Sequence, residues 1–376
     1  MRSARPLSTQ ALLLTLVAFT VSCSGALSER VGKDQAVAPQ ALQVIDTTAI
    51  GGAFSVAGSA SSEKSVGMGF RSSSMDGVVI LHSDTASPSV QVIPNGLAGS
   101  TIAGSSRLVG MGGPTPGLWM TADAIGGEQV LGRLDPSGVL VASVAVTRTE
   151  TEPIGMSMGS AIAIGRVAAD GRFLTPRSTT TEAGSISVGM HSFDTSMRES
   201  STCIGGGSLR GPEGAVISSV GDIDIGTDSQ VVCTYGQTGL ALVQAGGTSS
   251  IVSYLQTPVA PVTHVAAGRN AGEALVLAGN QVLVVNTATG ETRSISLGSV
   301  SFTMSGPLVR RLFNYFGTGI VVGDSKVVRF DIGTGTLLPG VAFQYGPVVA
   351  AEQSNGKLFL AHTSGAGNLF SWMPLH

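Results

Sequence analysis

An all-β chain closed into a ring of sheets is what this sequence predicts, and three observations lead there. From Ala41 onward no 3.6-residue apolar period appears; short β-branched runs alternate instead with clusters of Gly, Ser, Asn and Asp. A similar turn recurs between those runs. The turns follow one another at close to the length of a four-stranded propeller blade, about 40 to 50 residues. The predicted fold is therefore a β-propeller of seven blades, with six or eight as alternatives, placed after an N-terminal signal peptide.

The strands are legible as GVVILHS (77–83), LWMTA (118–122), SAIAIGRVA (160–168), SQVVCTY (229–235), GLALVQA (239–245), EALVLAG (273–279), NQVLVVN (280–286), SKVVRFD (325–331) and GKLFLAH (356–362). The turns are clearest in LDPSG-VLVASVAV (134–146), VNTATG-ETRSISL (285–297) and FDIGTG-TLLPGV (330–341). In each, an Asp or Asn can bond the backbone two residues on, and a Gly supplies the positive φ that closes the turn. Looser versions occur at 81–93, 192–197, 243–255 and 361–373. With Asp84, Asp135, Asp194, Gln244, Asn286, Asp331 and Ser364 as marks, the intervals are 51, 59, 50, 42, 45 and 33 residues.

Ahead of this domain, Arg2 and Arg5 precede eleven uncharged residues, Ala11 to Val21, and then the small residues Ser22 to Ala26. That layout is an export signal, and its apolar run is too short to span a bilayer. Thr20-Val21-Ser22-Cys23 resembles the lipobox of bacterial lipoproteins, with Thr20 where that family usually has Leu. The resemblance implies removal of residues 1–22 and lipid attachment at Cys23; the charged stretch without strand pattern reads as a flexible tether over 23–40, followed by a single propeller domain over 41–376. The resemblance places the protein outside the cytoplasm, anchored to the cell membrane or outer membrane. Cleavage after Ala26, giving a secreted protein without an anchor, and a retained helix are the competing readings.

Composition narrows the partners. With 43% hydrophobic residues, 12% charged residues and a net charge of -3, the chain has ample core and no basic footprint for nucleic acid. Arg310-Arg311 reads as a solvated pair. Lipidation of Cys23 leaves Cys203 and Cys233 as an even pair in an oxidising compartment, and a disulfide between them would stabilise the fold by ~3 to 4 kcal/mol. Two buried thiols are the alternative.

VVNTATGE and VRFDIGTG resemble the turns of quinoprotein-type and YVTN-type propeller repeats. That likeness implies a fold and carries no activity. Quinoprotein repeats commonly hold a tryptophan four residues after the turn glycine; Ala142, Ser294 and Pro339 stand there, which argues against a quinone. The lipoprotein scaffold of the outer-membrane assembly machinery is also a propeller built on this repeat, a precedent for a lipid-anchored, non-catalytic one.

Catalytic patterns are sparse. Gly155-Met156-Ser157-Met158-Gly159 fits a nucleophile elbow but is followed by a strand where a helix is required, and Ser61-x-x-Lys64 lacks its companion motifs. Asp222, Asp224 and Asp228 alternate before and around a glycine turn, as Ca²⁺ ligands do. Their context also resembles an FG-GAP repeat, with Ile225 where that motif has another ligand, so calcium is the one cofactor the sequence raises. His82, His191 and His362 each precede a blade mark and could form a ring only if their side chains converge. No other cofactor and no catalytic residue is indicated.

Two function classes follow. One is an anchored, non-catalytic binding or scaffolding module holding a protein or glycan partner on its loops; the other is an extracytoplasmic enzyme of lactonase, lyase or dehydrogenase type. A convergent group of His, Asp, Glu and Arg at the channel mouth separates them, and the absence of any motif repeating with the blades favours binding. The polar loops TRTETEP (147–153) and PRSTTTEAGS (176–185), in the longest interval, are the expected partner-binding segments.

Overall fold

The structure, a computed structural model, describes residues 42–94, 106–114, 117–123, 128–146, 158–159, 162–180, 186–204, 220–226, 230–235, 239–244, 252–258, 261–268, 272–302, 309–364 and 367–375. Pro39–Leu375 form one compact unit. The described residues build seven antiparallel sheets in sequence order and contain no α-helix, only a single 3-10 turn at Thr48–Ile50. The chain is thus a seven-bladed β-propeller.

Blade 1 runs Phe54–Ser61, Ser65–Ser72, Asp76–His82 and Ser89–Pro94. Blade 2 runs Arg107–Gly112, Gly117–Asp123, Gln129–Leu134 and Leu140–Ala145. Blade 3 has its inner strand in two pieces, Met158–Gly159 and Arg166–Val167, followed by Phe173–Thr180, Ile186–Phe193 and Glu199–Ile204. Blade 4 comprises Val220–Ile225, Gln230–Tyr235, Gly239–Gln244 and Val252–Gln256, and blade 5 Val262–Ala267, Glu273–Ala278, Gln281–Asn286 and Thr292–Ser296. Blade 6 comprises Leu312–Tyr315, Thr318–Val322, Lys326–Asp331 and Leu337–Ala342. Blade 7 takes three strands from the C-terminal part, Val348–Ser354, Lys357–Ser364 and Gly367–Pro374, and its fourth from Gln43–Val44. Gln43 lies opposite Trp372 and Val44 opposite Ser371, so the two ends of the domain lock the ring shut.

The first strand of each blade faces the axis, and neighbouring inner strands lie side by side. Strand alternation then fixes two faces. Every inner strand starts at one face, where each second strand also ends and each third begins; this is the loop face. The opposite turn face carries the third-to-fourth-strand turns.

Those turns are built as the sequence implies. Asp135 Oδ1 accepts the N–H groups of Ser137 and Val139 at 2.9 and 3.0 Å, Asp194 those of Ser196 and Arg198 at 2.8 and 2.9 Å, and Asn286 that of Ala288 at 2.9 Å. Gly138 closes its turn at φ +89°, where an added Cβ would meet Ile93 at 2.4 Å. Six of the seven marks sit at this turn. Ser364 does not: it ends the second strand of blade 7 on the loop face, because that blade's fourth strand comes from the N-terminal end. The short final interval has that cause. The 59-residue interval before Asp194 has another, the divided inner strand of blade 3.

The core lies between blades. Phe54, Met68 and Phe70 of blade 1 pack on Phe359, Phe370 and Trp372 of blade 7, and Val78 and Ile80 on Leu118 and Met120 of blade 2. Trp119 of blade 2 stacks on Phe173 of blade 3 at 5.2 Å, both fully buried. Burying side chains of this size stabilises the fold by about 1.5 to 3 kcal/mol each, so each blade is held by its neighbours.

Candidate functional site

The inner strands of blades 1, 2, 4, 5 and 7 each carry a one-residue bulge near the loop face. Bulges re-aim side chains. At Gly58, in the blade 1 bulge, an added Cβ would sit 2.1 Å from the Leu108 carbonyl oxygen, so only glycine permits that approach. An inner edge also leaves backbone groups unpaired, and here side chains from adjacent blades satisfy them.

In Val220–Ile225, alternation buries Ile223 completely and sends Asp222 and Asp224 to the other side. Asp222 Oδ2 accepts the Val265 N–H at 3.1 Å and Asp224 Oδ2 the Ala267 N–H at 2.9 Å, tying blade 4 to blade 5. Their other oxygens face cations: Asp224 Oδ1 lies 2.7 Å from Arg310 Nη2, and Arg166 sits 3.9 Å from both carboxylates. Arg310 also lies 4.8 Å over the Phe313 ring. Burial opposes the Arg310 charge, but Asp224, Glu352 and Asp222 outweigh it and hold the guanidinium above its ordinary range.

Glu352, 2% exposed, accepts the Ser59 and Ser61 hydroxyls at 3.0 Å each, joining blade 7 to blade 1. His264 Nε2 donates to Val309 O at 3.0 Å, while its buried Nδ1 has no partner among the described residues. Burial lowers the His264 pKa and keeps the ring neutral. Between these residues lies a cavity of about 20 Å³ lined by Ser59, Arg107, Arg166, Asp222, Arg310 and Glu352 among others. That is room for about one water. Asp222 and Asp224 pair with Arg166 and Arg310 beside the cavity, whereas Arg107 meets no carboxylate among the described residues.

A larger opening lies on the loop face between blades 1 and 2. It is a cleft of about 300 Å³ lined by Ser55, Arg71, Arg107, Thr121, Asp123 and Gln129. Arg107 lines both this cleft and the axial cavity. Its Nη2 donates to Ala163 O, its buried Nε meets no acceptor, and no carboxylate among the described residues pairs with it. Burial lowers its pKa to about 10.

The residues singled out from sequence are dispersed. Asp222 and Asp224 lie on an inner strand and not in a ligand loop; Asp228 is outside the described residues. Arg310 and Arg311 are not a solvated pair, since their side chains are 13% and 3% exposed and bonded to Asp224 and Asp324. His82 bonds Ser65 and Gln91, His191 bonds Glu199 at 2.6 Å, and His362 lies between Gly346 O and the Ser371 hydroxyl on a second strand. Each belongs to its own sheet and none faces the axis. Ser61 serves Glu352; Ser157, Cys23 and the 147–153 loop are outside the described residues.

Cys233 is buried on the second strand of blade 4, whereas Cys203 is on the outer strand of blade 3 with its side chain outside the described residues. Among the described residues there is no disulfide and no metal-binding group of His, Cys, Asp or Glu, and no helix is long and apolar enough to cross a membrane. The expected loop 176–185 begins as strand: 176–180 close Phe173–Thr180, and buried Arg177 bonds Val146 O and Glu199. Pro176 is tolerated there within a strand that keeps its full register with Ile186–Phe193.

No family model matches the sequence, and no curated protein matches it. Solved structures match the fold. The WD40 β-propeller domain of Doa1 superposes with a TM-score of 0.55 at 11% identity, covering 90% of this chain and 97% of that one. The Dos1 propeller gives 0.51 at 9% identity, covering 85% and 77%. At such identities the likeness is one of architecture alone.

Proposed function

We propose that this protein is a lipid-anchored, extracytoplasmic propeller that acts as a non-catalytic binding or scaffolding module for a cell-envelope or extracellular protein or glycan. One observation carries the binding reading: among the described residues the axial cavity, with Asp222 paired to Arg166 and Asp224 to Arg310 beside it, measures only about 20 Å³, while a cleft of about 300 Å³ lies on the loop face. Residues 147–153 lie in the sequence between Leu140–Ala145, the last strand of blade 2, and Met158–Gly159, the first of blade 3. Anchoring rests on the Arg2/Arg5, apolar and Cys23 layout, and affiliation with quinoprotein-type or YVTN-type repeats on the Asx-Gly turns.

Two measurements test the reading. Replacing residues 147–153 by a Gly-Ser linker of equal length should abolish capture of an envelope partner without moving the thermal transition; undiminished capture moves the binding surface elsewhere. Wild-type protein should partition into detergent and Cys23→Ala should not; both remaining aqueous removes the anchor. A Cys203–Cys233 disulfide belongs to the same proposal, and non-reducing peptide mapping of exported protein should find the two linked, with both thiols alkylatable as the opposing result.

A second reading has an observation in its favour. Asp222, Asp224, Glu352, His264 and three arginines do converge near the axis, the feature expected of an enzyme. Turnover of a sugar lactone or polysaccharide that disappears in Asp222→Asn would establish it and displace the non-catalytic reading.

A further inference from the structure

We infer that the loop-face cleft between blades 1 and 2 is a carboxylate-binding site anchored by Arg107. The inference rests on the loop face being the binding surface and names the chemistry one part of it takes.

Among the described residues, Arg107 differs from Arg166, Arg310 and Arg311 in having no counter-ion. Arg166 has Asp222 and Asp224, Arg310 has Asp224, and Arg311 has Asp324. Arg107 uses one donor on a backbone carbonyl and, among the described residues, leaves Nε buried without an acceptor, although desolvation penalises its charge and no described carboxylate offsets that. A buried cation without a partner is costly, and its attraction for an anion grows as water is excluded.

The cleft sets the ligand class. Its other cation, Arg71, is 45% exposed and already 3.5 Å from Asp76, and exposed Asp123 also lines the cleft. The site therefore has one uncompensated positive charge and an acidic neighbour, which suits a monoanion and disfavours a dianionic phosphate. A guanidinium fork also matches the plane of a carboxylate. A cleft of about 300 Å³ is at the lower bound of ordinary ligand pockets, enough for a small organic acid or for one acidic or C-terminal residue of a partner.

The test uses the full chain in detergent, titrated calorimetrically with sodium acetate, sodium phosphate, and the peptide Gly-Ser-Gly-Ala-Ala with a free or an amidated C-terminus. Acetate and the free peptide should bind, with phosphate and the amidated peptide at least tenfold weaker. Binding should fall at least tenfold in Arg107→Met and in Ser55→Glu, which places a carboxylate at the exposed rim and leaves Arg107 intact should the first variant fold poorly. Arg198→Met, on the turn face, should bind as wild type does. A free peptide much tighter than acetate points to a partner's carboxyl group, and equal affinities to a small acid.

Absence of saturable acetate binding, equal affinity in Ser55→Glu, or phosphate binding as tightly as acetate overturns the inference. Loss of acetate binding with partner capture intact sinks this inference alone. Loss of capture with acetate binding intact sinks only the broader reading of the 147–153 loop.

Discussion

The turns on one face and the inner strands around the axis solve the same problem, unpaired backbone groups, by opposite means. At the turns an Asp or Asn reaches residues two to four further along its own chain, and the device recurs from blade to blade. On the inner strands the acceptor for a free N–H comes from another blade: Asp222 and Asp224 serve Val265 and Ala267, 43 residues away. Local solutions can be copied by repetition, whereas those at the axis must each fit a particular neighbour.

The comparison predicts very different costs for removing one side chain. Asp224→Ala orphans the Ala267 N–H and strips buried Arg310 of its nearest carboxylate, so we expect a loss of about 3 to 5 kcal/mol in chemical denaturation. Its isostere Asp224→Asn keeps an acceptor for the N–H but not the charge, and should fall between Ala and wild type. Asn286→Ala, at an exposed turn, removes hydrogen bonds that water can partly replace, and should cost about 1 kcal/mol. Equal losses at the two sites would mean that water reaches the axis freely and that the paired charges there contribute little.

The same contrast explains what could be read in advance. Strands and third-to-fourth-strand turns were legible because their signals, β-branched runs and an Asx-Gly pair, lie within a few residues of the contacts they make. Blade count was legible too, although Ser364 marked the wrong turn, because nothing local shows that Gln43–Val44 supplies the last strand. The axial group was not legible as a group. Asp222, Arg166, His264, Arg310 and Glu352 share no motif, and only ring closure brings them together. One signal was present in a chain only 12% charged: single charges in mid-strand, such as Asp222-Ile223-Asp224 with its apolar centre, are rare enough to indicate buried roles. The expected loop at 176–180 failed for the converse reason, since its Ser and Thr composition suits a solvated loop while tertiary pairing holds it as strand.

The smallest effect is expected from pH, and it separates the two regions by window. Buried His264 and His362 have pKa values lowered first by desolvation from the ordinary 6.5. The unfolded chain therefore binds protons that the folded chain refuses, and stability, fully present above 6.5, declines as pH falls from there toward the folded values. His362 is fixed in its neutral form, with Nδ1 donating to Gly346 O at 3.0 Å and Nε2 accepting from Ser371 at 2.8 Å. At the turns, Asp135 is lowered first by the Ser137 hydroxyl and Asp194 first by the Arg198 N–H, from an ordinary 3.8. Their contribution is present above 3.8 and is lost only as pH falls through the lower folded values. Denaturant midpoints measured from pH 8 to pH 3 should accordingly show two declines. His362→Gln should flatten the first, which sets in below pH 6.5, without touching the second, and Asp194→Asn should do the reverse. If His362→Gln leaves the upper slope intact and His264→Gln removes it, the proton-sensitive histidine is the one beside the axis; if neither changes it, the buried rings are not what the folded state protects from protonation.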